Sequence, residues 1–400
     1  MRMNITRLRI FNVYLLFLNS VKKVLFVASV ASHIESFHIP YIKWFKEYGF
    51  IVDVAARMNI DNPIEYCDKF IDIPFERSPY SKGNISAYKA LKAVIYNGQY
   101  NIIHCHTPMA AALTRLATIS LRKQGLKVIY TAHGFHFFKG APLINWLIYY
   151  PVEQYLSRYT DILITINSED FELAKRHHFK RKNIFLVPGI GVNTKSVIDS
   201  NDETKKKLRK SYGYSDNDFI LFYAAEFIKR KNHRLIIEQL PSLSKKIPNI
   251  KILLAGRGEL IVEIKKLAEH LKVINYVDFL GYRRDVPKLV AMSDVGISSS
   301  LQEGLGITVA EDMFAGLPVV VSYDRGHKEM VIDGFNGYFF DINKPEQFTD
   351  KIYELYKYPE KRTLMGLNAK KSIQKFSIEN ALAAHISIYK SVIEKDETIS

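Results

Sequence analysis

From Val21 onward, short apolar runs rich in β-branched residues alternate with longer stretches of helical periodicity, as in parallel α/β proteins. In the first half of the chain these runs predict the strands Val24–Ala28, Ile51–Ala55, Phe70–Ile73, Asn101–His104, Val128–Thr131, Ile162–Ile166 and Ile184–Val187. Helical stretches separate them, among them Ile39–Tyr48, Ile85–Tyr96, Ala110–Lys123 and Leu143–Arg158. The pattern predicts one doubly wound domain.

A second series of the same kind follows a Pro/Gly break at residues 188–193 and a lysine-rich polar stretch. Its predicted strands are Phe219–Tyr223, Ile250–Leu254, Val277–Leu280, Asp294–Ser298, Val319–Ser322 and Gly337–Phe340. We therefore divide the chain into an N-terminal extension (1–20), a first domain (21–195), a second domain (196–375), and a C-terminal helix and tail (376–400). Two such domains should face each other across a cleft, with ligands beyond the carboxyl ends of the strands.

Residues 1–20 do not fit the strand pattern. The apolar segment Ile10–Leu18 resembles the start of a signal peptide, but no small-residue cleavage site follows it. Two interpretations stay open: Val21 is the true initiation site, or the extension is a short amphipathic membrane anchor. No stretch of the sequence reaches the roughly 18 apolar residues that span a bilayer.

The charge of the chain is positive and uneven. The net charge is +15; residues 1–200 carry 25 Lys/Arg against 14 Asp/Glu, and residues 201–400 carry 31 against 27. The basic residues of the first half are scattered and form no run interleaved with aromatics, so an anionic membrane surface is a better partner for them than nucleic acid. The two cysteines, Cys67 and Cys105, are too few for a disulfide framework and fit a reducing, cytoplasmic compartment.

Two glutamates bracket a glycine pair where the strand ending at Ser298 leads into a helix predicted over Ile307 to Ala315. Glycines at a helix N-terminus let the backbone approach a ligand, and the helix dipole favours an anion such as a diphosphate. Glu303 and Glu311 would accept hydrogen bonds from sugar hydroxyls. The alternative is a surface loop with two solvated acids. The candidate ligand-binding residues of this segment are Glu303, Gly304, Leu305, Gly306, Ile307, Thr308 and Glu311.

Three other turns of the second domain follow predicted strands. Lys229, Arg230 and Lys231 are successive cations after the first strand, and Lys231 is the candidate diphosphate contact. Gly256 opens a Gly-x-Gly turn, which is a weak signal by itself. The turn containing Arg283 precedes a helix with Asp285 as a plausible N-cap, and it could present main-chain groups to a nucleobase. A solvated basic face and a simple capped helix start are the corresponding alternatives.

Histidines end several strands of the first domain. His133 is the candidate for orienting a hydroxyl or stabilising charge, and His33, His106 and His136 are candidates for the acceptor side of the cleft; each could equally be a hydrogen-bonded structural histidine. His104 and His106 share a strand face, but Cys105 points the other way and no Cys-x-x-Cys partner exists, so no metal site is predicted. The turn after the first strand contains no glycine, which excludes the dinucleotide fingerprint there.

Together these residues resemble the retaining glycosyltransferases of family 4, which have the two-domain GT-B fold with two Rossmann-like domains. The resemblance is most specific from Gly281 to Gly337 and includes Glu303, Glu311 and the run from Ala315 to Val320. In the first domain, the segment from Tyr130 to Pro142 resembles a subset that builds bacterial capsular and exopolysaccharide repeat units.

This resemblance implies a nucleotide-diphosphate sugar donor in the second domain, with Lys231 on the diphosphate, Glu311 on the ribose and Glu303 on the donor sugar. His133 would lie near the reacting sugar in the first domain, so His133, Glu303 and Lys231 form the predicted catalytic set. Members of the family need neither a metal nor a further cofactor. If the basic first domain meets anionic lipid, the expected acceptor is a lipid-diphosphate-linked saccharide at the inner face of the plasma membrane.

Two features depart from the family, and two other functions stay open. Glu226 stands where the family usually has an arginine that binds diphosphate, and the first loop lacks the glycine pair of many members. A nucleotide-sugar epimerase on the same fold would consume the donor without an acceptor, and a non-catalytic membrane-associated scaffold would bind it without turnover. For the transferase we expect a front-face attack with retention, because no carboxylate is a clear nucleophile.

Overall fold

The chain folds into two compact units, each built on one parallel sheet. The computed structural model describes residues 22–179 and 183–397, with side chains described up to residue 394. The first unit comprises the described residues up to Ile190 together with those from Leu382 onward, and the second spans Gly191–Ala381. The predicted extension at 1–20 lies outside the described residues.

The first unit contains a seven-stranded sheet in the order β3-β2-β1-β4-β5-β6-β7, with every pairing parallel. Its strands are β1 (Lys23–Val30), β2 (Ile51–Arg57), β3 (Lys69–Asp72), β4 (Ile102–His106), β5 (Lys127–Ala132), β6 (Ile162–Thr165) and β7 (Ile184–Leu186). Its helices are α1 (Ala31–Phe37), α2 (Ile39–Glu47), α3 (Gly83–Gly98), α4 (Pro108–Ala117), α5 (Leu143–Leu156) and α6 (Ser168–Arg176). The strand order reverses between β1 and β4, which is where ligands bind in such sheets.

The second unit contains a six-stranded parallel sheet in the order β10-β9-β8-β11-β12-β13. Its strands are β8 (Phe219–Ala224), β9 (Ile250–Ala255), β10 (Val277–Gly281), β11 (Val295–Ser298), β12 (Val319–Ser322) and β13 (Gly337–Phe340). Helices α7 to α14 are Asp202–Tyr212, His233–Lys246, Ile261–His270, Val286–Ala291, Ile307–Phe314, Glu346–Lys357, Pro359–Ser372 and Ile378–Glu397. Here the strand order reverses between β8 and β11.

Both sheets are buried, which explains why their strands read as nearly continuous apolar runs. In the second unit one cluster covers each face of the sheet: Leu221 and Leu254 belong to one, and Phe222 and Leu253 to the other. In the first unit, Leu25, Ile103 and Val128 share one large cluster with α3 and α4. These cores fix the strand ends from which the candidate side chains extend.

The predicted doubly wound α/β architecture is confirmed, with every proposed strand present in sequence order. The boundary between the units lies at Ile190/Gly191 rather than at residue 195. Gly191 has φ +80°, and the next residue, Val192, donates its backbone N–H to Phe376 O at 2.9 Å, so the chain already belongs to the second unit there.

The predicted C-terminal helix is present as α14, and it is divided between the two units. Helix α14 begins in the second unit, and from Leu382 it packs with the first. Tyr389 anchors it: its hydroxyl lies 3.0 Å from His104 Nδ1, and its ring lies 5.5 Å from that of Trp44. Among the described residues, no helix is long and apolar enough to cross a membrane.

Candidate active site

The strand reversal of the second unit brings together two predicted residues that lie 72 positions apart in the chain. A 3₁₀ turn over Lys229–Lys231 follows β8, and the loop to α11 follows β11. Lys231 Nζ donates to Glu303 Oε1 at 2.5 Å, and Arg230 Nη1 lies 3.3 Å from Glu303 Oε2. The predicted diphosphate contact and the predicted sugar contact therefore form one ion pair.

The Glu303 carboxylate stays ionised over the whole physiological pH range. Burial by itself would raise its pKa, but the charges of Lys231 and Arg230 outweigh that effect and hold the pKa at about 2. Its backbone is held as well, because Glu303 N–H donates to Asp324 Oδ1 at 3.0 Å. The Lys231 ammonium carries three donors, so it can donate to Glu303 and to a phosphate oxygen together.

The pKa of Glu311 is shifted in the opposite direction to that of Glu303. It lies on α11, and burial raises its pKa to about 7. Within the described part of the chain its carboxyl forms no ion pair with a basic residue. The two glutamates of the segment therefore differ: Glu303 is a fixed anion, whereas Glu311 titrates near neutral pH and accepts a hydrogen bond best when a ligand hydroxyl compensates its burial.

Glycines allow the backbone to pass closely at this site. Gly306 precedes the first residue of α11 with φ +90°, a conformation that side chains rarely adopt. A Cβ on Gly326 would lie 2.9 Å from Leu305 N and from the Glu303 Cβ, so the loop after β12 packs directly on the predicted donor loop. The first backbone N–H groups of a helix have no intrahelical acceptor, so those after Gly306 are suited to an anion. The predicted set occupies this turn and the first two residues of α11: Gly304, Leu305, Gly306, Ile307 and Thr308.

The remaining predicted donor residues lie at the ends of β9 and β10. Gly256 has φ +155°, and a Cβ there would meet Ala225 O at 1.9 Å, so only glycine fits between these two turns. The Arg283 guanidinium is held by a bidentate pair with Asp285, at 2.8 and 2.5 Å. Glu226, at the position of the family's usual arginine, is exposed.

Asp285 is at the predicted N-cap position, but its side chain does not cap the helix. Asp285 precedes the first residue of α10, but its side chain makes no capping hydrogen bond. The hydrogen bonds from Arg283 and from the Tyr212 hydroxyl occupy the carboxylate and lower its pKa to about 2. The turn is therefore fixed by an ion pair instead of a helix cap.

The strand reversal of the first unit gathers histidines from α1, from β4 and from the turn after β5. His133 Nε2 lies 3.3 Å from His106 Nδ1, and the ring of His33 meets that of His133 edge-on at 4.9 Å. Three of the four predicted histidines are therefore neighbours. The fourth, His136, stacks its ring on Tyr149 at 4.6 Å. Burial lowers the pKa of His133 well below its usual value and that of His33 to about 4, so both are neutral at pH 7.

Sequence reasoning missed His38, His385 and Asp324. His38 follows α1 and stacks on His106 at 3.8 Å, and His385 comes from the C-terminal helix. No local pattern indicates these placements, because they depend on contacts between distant segments. Asp324 could have been predicted from the sequence, because it follows a buried strand at the carboxyl edge of the sheet, as the other candidates do.

Comparison with known proteins supports the two-part division. The family described as glycosyl transferases group 1 matches residues 204–372, and the family described as glycosyl transferase 4-like matches residues 23–167. The putative glycosyltransferase EpsD of Bacillus subtilis (strain 168) is 41% identical over 375 residues, which cover 94% of this chain and 98% of that protein.

Two further similarities extend the comparison. The UDP-Gal:alpha-D-GlcNAc-diphosphoundecaprenol alpha-1,3-galactosyltransferase of Escherichia coli is 27% identical over 68% of this chain and 69% of its own length. Among solved structures, Anabaena Alr3699/HepE in complex with UDP and glucose superposes with a TM-score of 0.76 at 18% identity, covering 92% of this chain and all of that one. The fold of this chain is therefore the GT-B fold.

Proposed function

Since this chain belongs to the glycosyltransferases, as its 41% identity to EpsD over almost the full length of both proteins shows, we propose that it moves a sugar from a nucleotide-diphosphate sugar to a saccharide acceptor. The observation that carries the proposal is the Lys231–Glu303 pair at the strand reversal of the second sheet. A cation beside a fixed anion suits a donor that presents a diphosphate next to sugar hydroxyls.

The donor roles follow from the electrostatics of each side chain. Lys231 binds the diphosphate, and the N-terminus of α11 shares the charge that develops on the leaving group. Glu303 accepts hydrogen bonds from the donor sugar. Glu311 accepts from the ribose, because burial raises the pKa of its carboxyl and a hydroxyl donor would stabilise the ionised form.

The transfer proceeds with retention, by attack of the acceptor on the face that the diphosphate leaves. His133 stabilises charge near the reacting sugar as a neutral imidazole, with His106 holding its ring. Catalysis by these residues uses no metal or further cofactor. Inverted product, shown by NMR of the anomeric proton, would overturn this mechanism, and so would a trapped glycosyl-enzyme.

The proposed acceptor is a lipid-diphosphate-linked saccharide at the inner face of the plasma membrane, in surface polysaccharide synthesis. The name of the Escherichia coli relative describes an acceptor of this class for that protein. In this chain, helix α5 exposes an apolar face: Leu143 is 80% exposed, Leu147 72% and Ile144 56%. Such a face, on the more basic half of the sequence, suits insertion at the surface of an anionic bilayer.

Two measurements test this function. A thermal-shift screen of nucleotide sugars identifies the donor, since a ligand that binds only the folded state raises the melting temperature. Turnover is then followed with that donor, with and without a lipid-diphosphate-linked saccharide. Product formed only with the acceptor supports transfer; consumption of the donor by itself would favour an epimerase, and binding without turnover a scaffold.

Membrane binding is tested by sedimentation with vesicles containing anionic lipid. We expect binding that weakens with salt and with Leu143→Ser/Leu147→Ser. Binding that ignores both salt and lipid charge would contradict the proposed surface.

A further inference from the structure

The first unit contains a group of imidazoles that the proposed transfer does not fully use. His33, His38 and His133 each offer a ring nitrogen, and these atoms lie within 4.8 Å of one another. They come from three places in the sequence: α1, the residue that follows it, and the turn after β5. The strand reversal of the first sheet brings them together.

Two ring nitrogens of this group, and one of the neighbouring His106, are buried without a hydrogen-bond partner among the described residues. Within the described residues, Nε2 of His33, of His38 and of His106 has no hydrogen-bond partner. His38 is only 2% exposed and His106 is fully buried. A buried polar atom without a hydrogen-bond partner destabilises the fold, so a purely structural histidine usually has one.

Neighbouring side chains are arranged to hold the rings. His106 stacks on His38 at 3.8 Å and uses its Nδ1 for His133 Nε2, which leaves the other nitrogen of His133 for a ligand. His104 is different, because Thr131 and Tyr389 occupy both of its nitrogens, at 2.8 and 3.0 Å. A ring held by a second residue through its other nitrogen is the usual arrangement of a metal-binding histidine.

We propose that His33, His38 and His133 bind a divalent transition-metal ion of the zinc class. Neutral imidazole nitrogens suit Zn²⁺, Co²⁺, Ni²⁺ and Cu²⁺, whereas Mg²⁺ and Ca²⁺ require oxygen ligands. Tetrahedral coordination at about 2.0 Å needs nitrogens roughly 3.3 Å apart, so ring nitrogens that now lie up to 4.8 Å apart must approach by up to about 1.5 Å. His33 and His133 are partly exposed whereas His38 is buried, so the movement falls mainly to those two rings.

The metal site goes beyond the proposed transfer reaction and departs from the prediction that the histidines of this domain hold no metal. His133 would serve one purpose at a time: as a metal ligand it cannot also contact a sugar. The predicted consequence is that micromolar Zn²⁺ inhibits transfer. Metal binding itself is measured without any turnover, so its failure and the failure of the proposed function are distinguishable.

The test is titration of tag-free, chelator-treated protein with Co²⁺, followed by its visible absorption, with Zn²⁺ as competitor. We expect one Co²⁺ per chain, displaced by Zn²⁺. His38→Ala and His33→Asn should each weaken binding by on the order of 10-fold or more. His270→Ala, which removes an exposed histidine of α9, is the control and should bind as the wild type does.

Circular dichroism checks that each variant is folded, and His33, which is less buried than His38, keeps the test valid if His38→Ala unfolds. Absence of a saturable Co²⁺ band in the wild type would overturn the proposal. A band that both His33→Asn and His38→Ala retain would overturn it as well, because the ion would then bind elsewhere.

Discussion

The raised pKa of Glu311 predicts how the stability of the protein changes with pH, and this prediction can be tested without a ligand. Its pKa is raised from 4.5 to about 7 by burial, and a difference of this size corresponds to about 3 kcal/mol between the two protonation states. The folded protein holds the proton more tightly than the unfolded chain. The contribution of the Glu311 proton to the free energy of unfolding is therefore fully present below pH 4.5, and it is lost as the pH rises through about 7.

Glu311→Gln removes the ionisable group and keeps the shape of the side chain. At pH 8 we expect the variant to be more stable than the wild type by up to about 3 kcal/mol, and at pH 5 by less than about 1 kcal/mol. The upper figure is a ceiling, because the side chain keeps partial exposure and water moderates the penalty. The buried Asp312 is present in both proteins, so the difference isolates Glu311 and its repulsion with that neighbour.

Urea unfolding of both proteins between pH 5 and pH 8 measures this difference. The two units need not unfold in one transition. The transition whose urea midpoint shifts on substitution is therefore the one that reports the second unit. Glu360→Gln, at an exposed position of α13, is the control and should show little change with pH. If the difference in unfolding free energy between Glu311→Gln and the wild type stays constant across this range, burial does not raise the pKa of Glu311 as argued.

Three further substitutions test the framework of the two units. Gly306→Ala places a side chain at φ +90° and should cost about 1–3 kcal/mol in the unfolding free energy of the second unit. Glu153→Ala leaves the fully buried Arg115 guanidinium, now paired at 2.7 Å, without its anion; a loss of about 3 kcal/mol in urea unfolding is expected. Asp294→Asn should lower the free energy of unfolding by a similar amount, because it removes the anion that Arg209 contacts at 2.7 Å and Lys205 at 3.3 Å.

The sequence predicts the sheets well because their strands are buried on both faces and therefore appear as apolar runs. The pairing of Lys231 with Glu303 was also foreseeable in outline, since both follow strands whose carboxyl ends share one edge. Helix α1 was not foreseen: it starts immediately after β1, at Ala31, without a capping side chain. Local sequence signals are weakest where no cap marks the start.

Contacts between distant segments were beyond the sequence. The return of helix α14 to the first unit places Tyr389 on His104, and no pattern in either segment indicates the pairing. The histidine group has the same origin: His38 meets His106 only because the strand order reverses between β1 and β4. The chemistry of each residue can be read locally, but its partner is set by the topology.

The central claim is that Lys231 binds the diphosphate of a nucleotide sugar, beside the Glu303 carboxylate that accepts from the sugar. Calorimetric titration with the nucleoside diphosphate that the donor screen selects tests it most directly, in the wild type, in Lys231→Met and in Lys229→Met. We predict one site in the wild type, affinity about 10- to 100-fold weaker in Lys231→Met, and near wild-type affinity in the control at exposed Lys229. Unchanged affinity in a folded Lys231→Met, or equal losses in both variants, would contradict the account.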